Sequence, residues 1–313
     1  MVWVAQKTLD AIDNAIVADG GNSFRKFQGI VLPHMTDAYR EDEDGYRSHL
    51  GASVIGGKCA RAVFYAWRWA SKGSPRGKAR EPKAKAESRM RRLWNRGHLE
   101  EGRFIAMMLM IGASVYQQDA EGKQFRISAL GGHFSGAGDG IVVGIPDLPR
   151  GVPALSEYKT HSDKSFEELR ELGVQKAKPE HFVQMQEYMH GMGLVYAIYV
   201  AVNKNTEELY AEIVTYDRPT AEHFLDRAKM IIFADKPPER IRGGSPGFHV
   251  CKYMCDHADV CFSTVQPDRN CRTCQFGFAM PDGTWQCARD AHTLDKAAQL
   301  AGCNLYEVGS AFK

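Results

Sequence analysis

The segment that most limits what this chain can become is Leu155-Ser156-Glu157-Tyr158-Lys159-Thr160. On a strand, alternate side chains share a face, so Glu157 and Lys159 point together while Ser156 and Tyr158 face the other way. A carboxylate and an ammonium two residues apart on a buried strand are costly unless they pair or coordinate. Upstream, Gly138-Asp139-Gly140 opens the apolar run Ile141-Val142-Val143, placing a second carboxylate at the end of what reads as a neighbouring strand. Two such carboxylates can hold one or two hard divalent cations through oxygen, the donor magnesium prefers. A lysine in the same cavity can orient a water or stabilise charge on a phosphate. Taken singly, Asp139-Gly140 also reads as a hairpin turn and Glu157 with Lys159 as an exposed ion pair. Their order, and the helix that follows them, favours the metal-binding reading.

That pair sits in an ordinary globular background. The chain has 313 residues, 44% apolar and 25% charged, with a net charge of +2, which excludes disordered and fibrous classes and predicts no partner by itself. No apolar run nears the ~20 residues that span a bilayer, and Met1 to Ala18 lacks a basic-then-apolar start, so the expectation is a cytoplasmic protein with no membrane partner. Thr8 to Ala18 and Arg89 to Gly112 have helical spacing. Ser114–Gln117, Gln124–Leu130, Gly138–Ile145 and Ala154–Thr160 read as strands, followed by helices over Ser165–Leu172 and Pro179–Met192. Val195–Val202 and Glu208–Tyr216 read as a hairpin, and Pro219–Phe233 as a last helix. Interspersed strands and helices without a repeat predict an α/β layer structure. The expected organisation is an N-terminal helical segment (1–45), a core (46–245) containing a basic mobile loop (72–88), and a Cys-rich metal-binding region (246–313).

Two further features carry chemistry. Gln184 and Tyr188 lie four apart on one helix face and offer uncharged polar groups suited to a phosphate or an attacking water; the alternative is a Tyr188 packed in the core. Lys72 to Arg92 holds nine Lys or Arg against Glu81 and Glu87. It reads either as a solvated loop or as an arm that contacts phosphates, with Arg89, Arg91 and Arg92 as the candidate DNA contacts.

The eight cysteines, in a reducing compartment, point to metal rather than disulfides. Cys271-Arg272-Thr273-Cys274 has the two-residue spacing that grips zinc, and Cys287 supplies a third sulfur. Either Cys303 or His292 completes a tetrahedron, with Cys303 favoured. Cys251, Cys255 and Cys261 form a second group with no local fourth cysteine, for which His257 is a candidate zinc ligand.

Asp139, Glu157-Tyr158-Lys159 and Gln184 to Tyr188 follow the central pattern of the PD-(D/E)XK nuclease superfamily, and the chain resembles its RecB-like and phage-type exonucleases. Gly138 stands where the nominal pattern has proline. Arg96-Gly97-His98-Leu99-Glu100-Glu101 is similar to the superfamily's first motif. The resemblance implies a restriction-endonuclease-like core with a mixed central sheet flanked by helices, plus a small Cys-rich region. It implies Mg2+ or Mn2+ held by Glu101, Asp139, Glu157 and the Tyr158 carbonyl, with His98 as a further candidate. Lys159, Gln184 and Tyr188 would complete the catalytic set. Cys59, before the core, with Arg61 and Tyr65, resembles the corresponding segment of the iron–sulfur members. In those, one cysteine before the core and three after it bind a 4Fe–4S cluster, here Cys59, Cys251, Cys255 and Cys261. The implied activity is metal-dependent DNA exonuclease action in phage-type recombination or repair, inside a bacterial or phage-infected cell. A single-strand annealing protein or a helicase is the implied partner class, and a ring oligomer is a family arrangement. The competing readings are a DNA-binding scaffold that no longer cuts and a restriction-type endonuclease.

Overall fold

A computed structural model describes residues 2–35, 47–71, 83–262 and 265–312, the side chains of residues 83–87 excepted. The strands are β1 (Leu50–Gly51), β2 (Ser114–Tyr116), β3 (Arg126–Ala129), β4 (Phe134–Ala137), β5 (Ile141–Val143), β6 (Pro153–His161), β7 (Tyr196–Asn203), β8 (Leu209–Thr215), β9 (Gly277–Ala279) and β10 (Trp285–Cys287). Two compact units interleave along the sequence. Met1–Asp42, Arg91–Ile127 and Gly136–Ala221 make the first; Glu43–Met90, Ser128–Ser135 and Glu222–Lys313 make the second.

The first unit is built on a five-stranded mixed sheet of order β2-β5-β6-β7-β8. β6 and β7 are parallel, and the other neighbours are antiparallel. A parallel pair needs a crossover connection, which the helices Asp163–Ala177 and Pro179–Met192 provide. Residues 3–5 lie along the free edge of β8, with Ile213 N donating to Trp3 O at 2.8 Å and Ala5 N to Ala211 O at 2.9 Å, which removes an unpaired sheet edge. One sheet face buries Val142, Ala154, Tyr158, Ile198 and Val200 against Phe104, Met107 and Met108 of the helix Lys83–Met110 and Ile12 of the helix Gln6–Asp19. Phe104 stacks on Tyr158 with centroids 5.2 Å apart. The opposite face receives the two crossover helices, which bury Phe166, Leu169, Met185 and Met189. Gly191 is required there, because a Cβ would come within 2.4 Å of Ile127 Cγ2.

The second unit has shorter strands. β1 pairs with β4 in parallel, and β9 with β10 antiparallel. Its centre is aromatic: the Arg272 guanidinium lies 3.7 Å from the Trp69 ring centroid, 4.5 Å from Trp67 and 4.6 Å from Trp285. It donates to Gln299 Oε1 (2.8 Å), Trp67 O (3.1 Å) and Ser48 O (3.0 Å). Burial, with Arg68 nearby, pushes Arg272 down to about 8. This arginine is a structural cation held by ring faces and carbonyls rather than by a carboxylate.

Most expected elements are present within a residue or two, and the helix Pro179–Met192 has the expected bounds. Two differ. The stretch expected to be a mobile loop up to about residue 87 is helical from Lys83, since Lys83-Ala84-Lys85-Ala86-Glu87 consists of strong helix formers; residues 72–82 lie outside the described residues. Gly138–Ile145 is not one strand, because the Gly138-Asp139-Gly140 turn precedes β5. Among the described residues no helix is long and apolar enough to cross a membrane.

Candidate active site

All the oxygen-bearing candidates fall in the first unit. Gly140 adopts φ +147°, and a Cβ there would meet Tyr116 O at 2.8 Å and Ser156 Oγ at 3.3 Å, so glycine lets the turn press against β6. Ser156 N donates to Gly140 O (2.9 Å), and Tyr158 N donates to Asp139 Oδ2 (2.9 Å). The turn thereby locks Asp139 beside the strand that carries Glu157.

On β6 the expected alternation holds. Tyr158 joins the core on one face, while Glu157 and Lys159 share the other and form an ion pair. Glu157 is fully buried, and Lys159 retains 25% side-chain exposure, so the exposed-pair alternative does not describe them. Burial raises the Glu157 carboxyl above its ordinary value; Lys159 opposes that rise, while Asp139 and Glu101 add to it. Burial alone would lower Lys159, but Glu157 and Asp139 outweigh it and keep the ammonium charged. Glu157 Oε2 is buried with no hydrogen-bond partner among the described residues. Such an orphaned carboxylate oxygen, amid carboxylates that raise one another's affinity for protons, suits a hard cation.

Helical rotation separates the adjacent acids of Glu100-Glu101. Glu100 pairs with Arg103 at 3.0 Å. Glu101 is raised first by burial and then by Asp139, and its Oε1 lies 3.6 Å from His98 Nδ1. The site electrostatics thus join Glu101 to Asp139, with His98 next to it and 41% exposed. From the crossover helix, Gln184 and Tyr188 are both buried; burial, then Glu157 and Asp139, raise the tyrosine, and Gln184 opposes that rise. Gln186 has a different role, since its amide bonds Thr215 O (3.1 Å) and Asp217 N (2.6 Å) and so fixes the turn after β8. Arg89, Arg91 and Arg92 lie on the helix Lys83–Met110, the last two exposed.

Three groups escaped sequence reasoning: His161, Tyr199 and His181 form a hydrogen-bonded row beside Lys159. The available signals were small, namely His161 two residues after Lys159 on the same strand face and His181 three before Gln184.

The sulfur candidates fall in the second unit. Cys59, Cys251, Cys255 and Cys261 line one small cavity with Ala62, Tyr65 and Phe262. Burial raises the Cys255 thiol first, and Cys59, Cys251 and Cys261 each raise it further. Four thiols from both ends of the chain thus converge, a donor set that fits a thiolate-ligated cluster. His257 bonds Ser71 Oγ through Nδ1 (2.8 Å). In the other group Cys271 is pushed up to about 11 by burial, then by Cys274, Cys303 and Cys287. Ligand atoms of Cys287, Asp290 and His292 lie within 4.8 Å of one another, so His292 stands close to this group as well.

No protein-family model matches the chain. No curated protein matches it either. Among solved structures it is similar to an alkaline exonuclease, LHK-Exo, from Laribacter hongkongensis, with 16% identity over 59% of this chain and 86% of that one and a TM-score of 0.36. The same protein in complex with dAMP matches with a TM-score of 0.35, at the same identity and coverage. SSO0001 matches at 14% identity over 76% of this chain and 97% of that one, with a TM-score of 0.38.

Proposed function

We propose that the chain is a divalent-metal-dependent DNA exonuclease that hydrolyses phosphodiester bonds in phage-type recombination or repair. The observation that carries this reading is the buried Glu157, paired to Lys159 through one oxygen and without a partner on the other, beside an Asp139 fixed by the Tyr158 amide. Asp139, Glu157, Glu101 and the Tyr158 carbonyl would hold Mg2+ or Mn2+, with His98 adjacent. When bound, the metal supplies water activation and charge stabilisation at the leaving oxygen. Lys159 brings a charged donor to the phosphate oxygens, and Gln184, four residues from Tyr188 on one helix face, offers its amide to the substrate strand. Arg89, Arg91 and Arg92 would add salt-sensitive backbone contacts.

The same reading assigns Cys59, Cys251, Cys255 and Cys261 to a 4Fe–4S cluster, supported by the cavity they line. Cys271, Cys274 and Cys287 are assigned to zinc with Cys303, supported by the two-residue spacing of Cys271 and Cys274 and by the effect of the other three thiols on Cys271. Among the described residues the ligand atoms within 4.8 Å of one another are those of Cys287, Asp290 and His292, which makes His292 the alternative fourth ligand.

The test is nucleotide release from linear duplex DNA with Mn2+. Glu157→Ala and Lys159→Ala should each lower the rate by at least ~10³-fold, the order of a lost transition-state contact, while duplex binding persists. Activity surviving in both variants would refute the assignment, and cutting of closed circular DNA would make the protein an endonuclease.

A further inference from the structure

His161 Nε2 and His181 Nδ1 both lie within hydrogen-bond distance of the Tyr199 hydroxyl, at 2.8 and 2.9 Å, and His161 Nδ1 lies 2.9 Å from Ser165 Oγ. A hydroxyl has one proton to give, so Tyr199 donates to one imidazole and accepts from the other. With singly protonated rings, two arrangements satisfy all three bonds. In one, both imidazoles carry the proton on Nε2: Ser165 donates to His161, His161 to Tyr199 and Tyr199 to His181. In the other, both carry it on Nδ1 and the row runs backwards. Doubly protonated rings are opposed by burial first and then by the lysines: Lys178 and Lys159 act on His161, held down to about 4, and Lys159 acts on His181, held down to about 3.

The place of His181 decides between the two. It precedes Gln184 by three residues and Tyr188 by seven, on the same helix face. Its Nδ1 is engaged by Tyr199, so Nε2, at the far edge of the ring, is the atom it has to offer. A phosphodiester oxygen carries only lone pairs, and a row that ends on it must end in a donor.

We propose that the row Ser165–His161–Tyr199–His181 is ordered toward His181, which presents a neutral Nε2–H donor to a non-bridging phosphate oxygen of the substrate strand beside Lys159. His181 is then a substrate-binding residue, and Tyr199, His161 and Ser165 are positioning residues. The assignment rests on the phosphodiesterase reading of the site and deepens it. The neutral donor binds phosphate without adding a second cation that would compete with the metal.

Nitrogen-15 histidine spectra of the full chain read the tautomers directly. Both His161 and His181 should appear as Nε2–H forms, and Nδ1–H forms at both would overturn the proposal. With linear duplex and Mn2+, His181→Ala should raise KM by about 10- to 100-fold, the weight of one hydrogen bond to a charged group, with a smaller change in kcat. His181→Gln, whose amide nitrogen reaches the Nε2 position, should recover most of that loss, and Tyr199→Phe should fall between. An unchanged KM in His181→Ala, or equal losses in the alanine and glutamine variants, overturns this assignment alone. Equal nucleotide release by the native chain and Glu157→Gln overturns it together with the nuclease reading.

Discussion

The two units answer the problem of burying polar chemistry in opposite ways. In the first, a five-stranded sheet and the helices on its faces supply a continuous apolar core, and its largest group of interacting buried charges is Glu157, Lys159, Asp139 and Glu101. In the second, the strands are two to four residues long, a buried arginine sits among three tryptophans, and eight thiols gather in two groups. A unit with a large core folds on hydrophobic burial and can hold a few buried charges that the fold itself does not need. A unit of short elements depends more on specific polar contacts for the fold itself and, on the proposed cysteine assignments, on metal contacts as well.

That contrast can be broken at several points. The largest effect is expected from Arg272→Met, which strands Gln299 Oε1 and the carbonyls of Trp67 and Ser48. At roughly 1–3 kcal/mol for each orphaned group, partly relieved by relaxation, denaturant titration should show a loss of about 3–5 kcal/mol. A loss below 1 kcal/mol would mean that the aromatic centre holds without its cation. On the proposed cluster assignment, Cys255→Ser should abolish iron and sulfide binding together with an absorbance near ~400 nm, and should lower the melting temperature by roughly 5–15 °C. If it also cut nucleotide release as deeply as Glu157→Ala does, the proposed division of roles between the two units would fail.

A smaller effect comes from a buried acid in the first unit. Glu187 Oε1 has no partner among the described residues, and burial pushes the carboxyl up to about 8 from an ordinary 4.5. Between those two values the folded chain holds a proton that the unfolded chain has released, so stability falls as pH rises through that window. Glu187→Gln should flatten this decline and gain about 1–3 kcal/mol at pH 8; a slope identical to that of the native chain would show that Glu187 is already charged. The smallest change belongs to Arg91→Ala and Arg92→Ala. Each should reduce the slope of log affinity against log salt by about 1 and leave cutting at low salt nearly intact.

How much of this was legible in advance varies with the distance between partners along the chain. The alternation of β6 placed Glu157 and Lys159 on one face, and helical spacing put Gln184 beside Tyr188; both are local periodicities that any packing preserves. The split of Glu100 from Glu101 follows from the same geometry, but which acid meets Asp139 depends on how the helix is rotated against the sheet. Gln186, two residues from Gln184, is a clamp on the turn after β8, because only the contact with Thr215 and Asp217 assigns its amide.

The order of the residues thus determined most of the elements and the shared face of Glu157 and Lys159, since backbone periodicity acts within a few residues. Tertiary packing decided the rest. It brought Cys59 to thiols nearly two hundred residues away, enclosed Arg272 in three rings from two separate segments, and set His161 and His181 on one tyrosine hydroxyl. Such contacts depend on which faces meet when apolar surfaces are buried, and no window of neighbouring residues encodes that choice.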